Sequence, residues 1–179
     1  MQFKEHEVER PQFLGAAWED TSWHNDAMPH ATLYLDDHDN PQAVIDFWVN
    51  YAKPEDREVG ELYEVVLARD WGAESSSDVS LYLGDDPAQA IIWERAARTA
   101  RSMIREILAR PELVACRNFS ELHDHCDANI LGDVEEMTKE GEAHRTAADD
   151  PEVGITGWAN DVHNAATLII DAYLGGLKR

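Results

Sequence analysis

The segment FSELHDHCDAN, residues 119–129, concentrates side chains that bind metals or transfer protons. It holds two histidines, three acidic residues, a cysteine and an asparagine within eleven residues. On a helix, His123 and Asp127 share one face because they are four residues apart. Zinc needs three or four ligands at about 2.0–2.3 Å. Further ligands would therefore have to come from elsewhere, and His163 and Asp161 are the nearest candidates by chemistry.

The same segment also has a purely structural interpretation. Cys126 lies on the apolar stripe of the predicted helix, where cysteine behaves as a small hydrophobic residue. His123 and Asp127 would then form a hydrogen-bonded pair one turn apart. The chain has no C-x-x-C or H-E-x-x-H spacing. The sequence therefore favours a polar joint between helices, without metal or cofactor, and leaves His123, Asp127 and His163 as the alternative metal ligands.

A second constellation lies in TSWHNDAMPH, residues 21–30. His24, Asp26 and His30 are close together there, and His38 follows among aspartates. Hydrolytic metal sites combine these residue types, but Asn, Asp and Pro are also common turn residues. The turn is the favoured interpretation. With no G-x-S-x-G motif for a serine nucleophile, the sequence favours a protein that is not an enzyme.

The N-terminal part, residues 1–87, has a pattern that predicts β-structure. Short runs of β-branched, aromatic and aliphatic residues recur there, each closed by residues that favour turns. LYEVVLA is the most continuous run and the best candidate for a central strand. The predicted strands are PQFLGAAW (11–18), HATLYLDD (30–37), VIDFWVNY (44–51), LYEVVLARD (62–70) and VSLYLGDD (79–86).

The C-terminal part, residues 88–179, has the three- and four-residue apolar spacing of helices. Its first helix is predicted to start with Asp86 as N-cap and Pro87 at the first helical position, and to end at Pro111. The fold class is therefore α+β, with an acidic β-rich domain over 1–87 and three main helices after it. The predicted helices cover about 87–110, 120–138 and 157–174, with a polar loop over 140–154.

Charge is the strongest feature of the composition. The chain carries 36 acidic and 15 basic residues, a net charge of −21, while 44% hydrophobic residues and six tryptophans indicate a folded protein. The imbalance is local: 20 acidic and 5 basic residues in 1–87, 2 and 5 in 88–110, and 14 and 5 in 111–179. Such charge disfavours direct binding to nucleic acid or an anionic membrane. It favours a basic protein as partner.

The sequence also bears on location and assembly. No apolar run approaches the roughly 20 residues that cross a bilayer, and the start, MQFKEHEVERPQF, lacks the pattern of a signal peptide. Its two cysteines, Cys116 and Cys126, suit a reduced protein. The expectation is a cytoplasmic protein, and a homodimer is left open.

Two regions resemble known protein families. TSWHNDAMPHATLYL with FWVNYAKPEDREVGELYEVV, about residues 15–70, resembles small uncharacterised acidic proteins of bacteriophages, plasmids and their bacterial hosts. NFSELHDHCDANILG with NDVHNAATLIIDAYL, about residues 90–175, resembles a helical segment of similar mobile-element proteins. The resemblance implies a setting, namely conflict with host defence, and implies no reaction and no catalytic residue.

In that setting the charge predicts an inhibitor whose carboxylates stand in for DNA phosphates. Such a protein would occupy the basic channel of a restriction enzyme or a CRISPR effector, through contacts that weaken with salt. Two alternatives stay open: a soluble interaction protein with a salt-adapted surface, and a metal-dependent hydrolase or metal-binding protein. The candidate partner-binding carboxylates are Asp36, Asp37, Asp39, Glu55, Asp56, Glu58, Asp85, Asp86, Glu135 and Glu136.

Overall fold

The computed structural model divides the chain into two compact units, Met1–Glu94 and Arg95–Arg179. It describes residues 2–4, 6–57, 60–69, 78–110, 113, 116 and 155–176, and in the last range the side chains of 162–175. The first unit contains a five-stranded sheet and the start of a long helix. Most of the described part of the second unit is helical.

The sheet is an antiparallel meander in which every strand pairs with its neighbours in the sequence. This order is the simplest one for antiparallel strands, because consecutive elements usually lie side by side and no crossover connection is needed. The expected α+β class is thus confirmed as an antiparallel sheet followed by helices. The strands are β1 (Glu19–Asp20), β2 (His30–Tyr34), β3 (Ala43–Val49), β4 (Tyr63–Arg69) and β5 (Val79–Gly84).

The two faces of the sheet differ in chemistry, since successive residues of a strand point to opposite sides. One face is apolar throughout and buried, and we call it the apolar face. The opposite face mixes polar and aromatic residues, and we call it the mixed face. The apolar face carries Ala31, Leu33, Ile45, Phe47, Val65 and Leu67, and the mixed face carries His30, Thr32, Asp46, Trp48 and Glu64.

An aromatic cluster covers the apolar face. The ring of Phe47 makes edge-to-face contacts with Phe13, Trp18 and Tyr63, at centroid distances of 5.7, 5.8 and 6.1 Å. The indole Nε1–H of Trp18 donates a hydrogen bond of 3.1 Å to the carboxylate of Glu94, 76 residues away. Both residues are only 2% exposed. This bond joins the N-terminal segment to the helix that follows the sheet.

The predicted strand over 11–18 is wrong. This segment forms turns, with hydrogen bonds from Leu14 N to Pro11 O and from Trp18 N to Gly15 O. The guanidinium of Arg10 donates to the carbonyl oxygens of Leu14, Gly15 and Trp18. Because these carbonyls accept hydrogen bonds from Arg10, they do not accept them from a neighbouring strand. The first strand is therefore only the two residues Glu19–Asp20.

The predicted central strand at LYEVVLA lies inside the sheet. This run forms β4, which is an interior strand with a neighbour on each side, but β3 is the middle strand of the five. The pairing of β4 with β5 contains a register irregularity between Val65 and Val66. The loop before β4 passes through Gly60, whose φ of 67° lies in the left-handed region that favours glycine.

Two helices are described, α1 (Pro87–Leu108) and α2 (Ile155–Gly176). The cap of α1 agrees with the prediction, since the carboxylate of Asp86 accepts a hydrogen bond of 2.9 Å from Ala88 N. The predicted last helix, about 157–174, corresponds to α2. The predicted helix over 120–138 and the predicted loop over 140–154 lie outside the described residues.

Within the second unit, both helices bury one face. The buried residues recur every three or four positions, which is the period that places side chains on one side of a helix. Helix α1 also carries arginines outside this buried set: Arg98 and Arg105 are exposed, and Arg101 is half-buried. The buried residues are Ala96, Ala97, Ala100, Met103, Ile104 and Ile107 on α1, and Ala165, Ala166, Ile169, Ile170, Tyr173 and Leu174 on α2.

Candidate functional site

The candidate carboxylates among the described residues lie at both ends of the sheet, because the connections of a meander alternate between its ends. The β2–β3 turn, with Asp36, Asp37 and Asp39, is at one end, which we call the first end. The β3–β4 loop and the β5–α1 junction are at the opposite end, the second end. The seven-residue strand β3 spans about 20 Å between them. The carboxylates therefore form two groups instead of one row.

At the first end, the three aspartates differ in what they can do. Asp36 is only 9% exposed, and its carboxylate accepts hydrogen bonds of 3.2 and 3.3 Å from Gln42 N. Its role is therefore to close the β2–β3 turn. Asp37 and Asp39 are exposed, and the backbone N–H of Asp39 donates to the carboxylate of Asp37 at 3.0 Å. This bond holds the turn and leaves both carboxylates at the surface.

His38 lies beside these aspartates. Its imidazole Nε2 is 2.9 Å from the carboxylate of Glu19, its Nδ1 is 3.4 Å from that of Asp39, and its ring lies 4.4 Å from the ring of Tyr34. The hydrogen bond to Asp39, followed by the negative charge of Glu19, raises the pKa of His38. Protonation of His38 therefore adds a positive charge to an otherwise acidic end of the sheet.

At the second end, the carboxylate of Asp85 binds two residues of the β3–β4 loop. The Arg57 guanidinium donates to its carboxylate at 2.8 Å, and the backbone N–H of Leu62 donates to the same oxygen. Arg57 also donates to the carbonyl of Tyr51 at 2.8 Å. The hydrogen bond from Leu62, and then the bond and charge of Arg57, lower the pKa of Asp85. Asp85 is therefore committed to the β3–β4 loop.

Glu55 and Asp56 are the candidate carboxylates of the second end that have no structural role in the described residues. They lie in a short 3-10 helix, Pro54–Asp56, in the β3–β4 loop, and both are exposed. Within the part of the chain that the structure describes, neither side chain makes a hydrogen bond or an ion pair. Of the other predicted carboxylates, Asp86 is exposed but caps α1. Glu58, Glu135 and Glu136 lie outside the described residues.

The candidate metal ligands of the N-terminal part do not converge. The His24 ring lies 4.7 Å from that of Trp23, and the His30 ring lies 4.0 Å from that of Trp48. His38 instead contacts Glu19 and Asp39. Over the described ranges, no group of three or more His, Cys, Asp or Glu residues is placed to hold a metal ion.

The candidate ligands of the C-terminal part are placed only in part. His163 lies half-buried on α2, and its backbone carbonyl accepts a hydrogen bond of 2.9 Å from the Thr167 hydroxyl. His123 and Asp127, with the rest of the HDHCD segment, lie outside the described residues, as does the side chain of Asp161.

A polar network on the mixed face was missed by the sequence analysis. The hydroxyls of Thr21 and Thr32 are 2.6 Å apart, and Thr32 donates to the carboxylate of Asp46, also at 2.6 Å. Thr32 is fully buried and Asp46 is 7% exposed. Burial raises the pKa of Asp46, although the Thr32 hydrogen bond opposes this shift. The available signal was the alternation of His30 and Thr32 with apolar residues in β2, together with the single acidic residue, Asp46, inside the otherwise apolar run of β3.

His30 belongs to the same face. Its side chain is 12% exposed, and its Nδ1 is 3.6 Å from the carboxylate of Asp26, too far for a hydrogen bond. Burial lowers the pKa of His30, while the charges of Asp46 and Asp26 act in the opposite direction. The imidazole is thus packed between Trp48 and an acidic loop, and its protonation is sensitive to both carboxylates.

Comparisons with known proteins found no match for this chain. No protein-family model, no curated protein and no solved structure matches the chain. Among the helices described here, none is both long enough and apolar enough to cross a membrane.

The role of Asp85 in the β3–β4 loop can be tested by Asp85→Asn. Asparagine can still accept from Leu62 N but loses the charge that attracts Arg57, so we expect a lower melting temperature at pH 7. Because the folded-state pKa of Asp85 is lowered, its contribution is present above the unfolded pKa of about 3.9 and disappears as the pH falls through the folded value. Thermal unfolding from pH 7 to pH 2 should show the two proteins converging. An equal difference at every pH would contradict this account.

Proposed function

We propose that this chain is a non-enzymatic acidic inhibitor that binds a basic, nucleic-acid-handling protein of host defence. The exposed carboxylates at the two ends of the sheet, Asp37 and Asp39 at one and Glu55 and Asp56 at the other, are its contact residues. The observation that carries the proposal is the pair Glu55 and Asp56, which has no ion pair among the described residues. These two charges are available to an external cation without breaking an internal contact.

The distance between the two groups of carboxylates suits a partner with an extended basic channel better than a partner with one basic residue. A partner that spans both ends must present cations about 20 Å apart, as proteins that follow a length of nucleic-acid backbone do. The 20 acidic and 5 basic residues of 1–87 add a long-range field that accelerates association with such a partner. Mimicry of DNA within a restriction enzyme or a CRISPR effector is the specific form of this proposal.

Two charge variants of the full chain test it, and a third is their control. Asp37→Asn with Asp39→Asn neutralises the first end, and Glu55→Gln with Asp56→Asn neutralises the second. The control, Glu64→Gln with Glu106→Gln, removes the same charge from strand β4 and helix α1. Each immobilised protein is incubated with nuclease-treated bacterial lysate at about 50 mM and about 500 mM NaCl. Captured proteins are then identified, purified and assayed for binding to duplex DNA with and without this chain.

We expect the wild-type chain to capture a nucleic-acid-binding protein at low salt, to release it at high salt, and to compete with DNA for it. Each end variant should weaken binding to that protein by about tenfold, which corresponds to about 1.4 kcal/mol, whereas the control should bind as the wild type does. Equal weakening by all three variants would mean that total charge alone is responsible. That result, or capture without competition against DNA, would contradict the proposal.

A further inference from the structure

We propose that Trp23 is the anchor of this binding surface and that it receives a cationic side chain, preferably arginine, of the basic partner. The inference rests on the proposed function, because it names the residue that adds specificity to the acidic second end. Three features of the turn Trp23–Asp26 support the inference: its backbone is held by hydrogen bonds, its indole is exposed, and it lies at the same end of the sheet as Glu55 and Asp56.

The backbone of the turn is held by hydrogen bonds on both sides of the tryptophan. Trp23 N donates to the carboxylate of Asp26 at 2.7 Å, and Asp26 N donates to the carbonyl of Trp23 at 2.8 Å. The imidazole Nε2 of His6 also lies 3.1 Å from that carbonyl. The position of the Trp23 backbone is therefore largely set before binding, which reduces the backbone entropy lost when a partner docks.

The indole itself points into solvent. Trp23 is 58% exposed, in contrast to Trp18, which is 2% exposed. It lies in a tilted arrangement 4.7 Å from the ring of His24. A large aromatic side chain that stays exposed on an ordered turn matches the residues that dominate binding energy at protein interfaces.

The topology places this turn at the acidic second end. It belongs to the connection from β1 to β2, which lies at the same end of the sheet as Glu55 and Asp56. A backbone hydrogen bond of 2.9 Å from Val49 N to Pro29 O joins this connection to the end of β3. A cation attracted by these carboxylates finds an aromatic face at the same end, and guanidinium stacks on indole rings better than ammonium does.

The test uses the full chain and an octa-arginine peptide as probe, with octa-lysine for comparison. The chain has six tryptophans, so Trp23→Phe assigns the indole N–H signal of Trp23 in a two-dimensional NMR spectrum by its disappearance. Titration of the wild type at low salt should shift this signal more with arginine than with lysine. Trp23→Ala and Trp23→Leu should both bind octa-arginine about three- to tenfold more weakly, while Trp23→Phe loses less.

Leu83→Ala is the matched control, since Leu83 is 55% exposed on the edge strand β5 and carries no aromatic ring. It should bind the peptide as the wild type does. If Glu55→Gln with Asp56→Asn weakens binding while Trp23→Ala and the indole signal remain unchanged, the carboxylates bind without Trp23 and this inference is wrong. If the wild type binds neither peptide at low salt, the proposed function fails together with it. If Trp23→Ala binds octa-arginine more weakly but Trp23→Leu binds it as the wild type does, the contact is apolar and does not involve the aromatic ring. That result would also overturn the inference.

Discussion

Trp18→Ala is expected to lower the free energy of unfolding by about 3–5 kcal/mol, the largest effect of any single substitution proposed for this protein. Trp18 is 2% exposed and contacts the ring of Phe47 in the aromatic cluster on the apolar face. Its removal leaves a cavity and takes the indole donor from the buried carboxylate of Glu94. Urea unfolding monitored by circular dichroism measures the loss.

One further variant separates the cavity from the hydrogen bond, and a second serves as a control. Trp18→Phe keeps most of the apolar volume but loses the donor, so it should cost about 1–3 kcal/mol. Trp23→Ala removes an exposed tryptophan and should change stability by no more than about 0.5 kcal/mol. Similar losses for Trp18→Ala and Trp23→Ala would show that Trp18 does not hold the N-terminal segment on the sheet.

Thr32→Val is expected to lower the free energy of unfolding by about 2–3 kcal/mol at neutral pH. Valine has the shape of threonine, so the cavity is small. The loss arises because the buried Asp46 carboxylate no longer receives the 2.6 Å hydrogen bond from the Thr32 hydroxyl. Since that bond lowers the pKa of Asp46 against the effect of burial, the pKa should rise further in the variant. NMR titration of the Asp46 carboxyl measures this second effect.

The pH dependence of the stability of Asp46→Asn tests the same site. The expected dependence is opposite to that of Asp85, because the pKa of Asp46 is raised and that of Asp85 is lowered. Burial raises the folded-state pKa of Asp46, so its contribution to stability is present below the unfolded pKa of about 3.9 and is lost as the pH rises through the folded value. The uncharged asparagine avoids this loss. The stability of Asp46→Asn relative to the wild type should therefore increase from pH 3 to pH 7.

His30 provides an internal check on this prediction. Its pKa is lowered by burial and partly restored by the charge of Asp46, so Asp46→Asn should lower it further. A lowered histidine pKa contributes stability above the unfolded value of about 6.5 that is lost as the pH falls below it. An unchanged His30 titration, followed by NMR, would show that the two groups are not coupled across the mixed face.

Local signals in the sequence were sufficient for much of the fold. Strand alternation placed β2 to β5, and Asp86 followed by Pro87 marked the start of α1. Such signals act over a few residues, because capping, turn formation and side-chain alternation involve only near neighbours. The segment 11–18 shows their limit. Its apolar pattern suits a strand, but the guanidinium of Arg10 takes three of its carbonyls.

The site depended on contacts between distant residues. Composition alone showed that the chain is acidic, with 36 acidic residues against 15 basic ones. Only the tertiary structure separated structural carboxylates from available ones, since the roles of Asp36 and Asp85 depend on backbone groups that the folded loops bring to them. The same is true of Asp46, which meets Thr32 through the register of β2 on β3.

Thus the sequence by itself determined the net charge, the α+β class and the approximate positions of four strands and the two described helices, because these depend on composition and on neighbours along the chain. The tertiary structure decided which of the described candidate carboxylates are exposed and that they form two groups at opposite ends of a meander. It also decided that one tryptophan is buried against Glu94 while another is exposed beside His24. The physical reason is that strand register and loop packing join residues up to 76 positions apart, which no local pattern encodes.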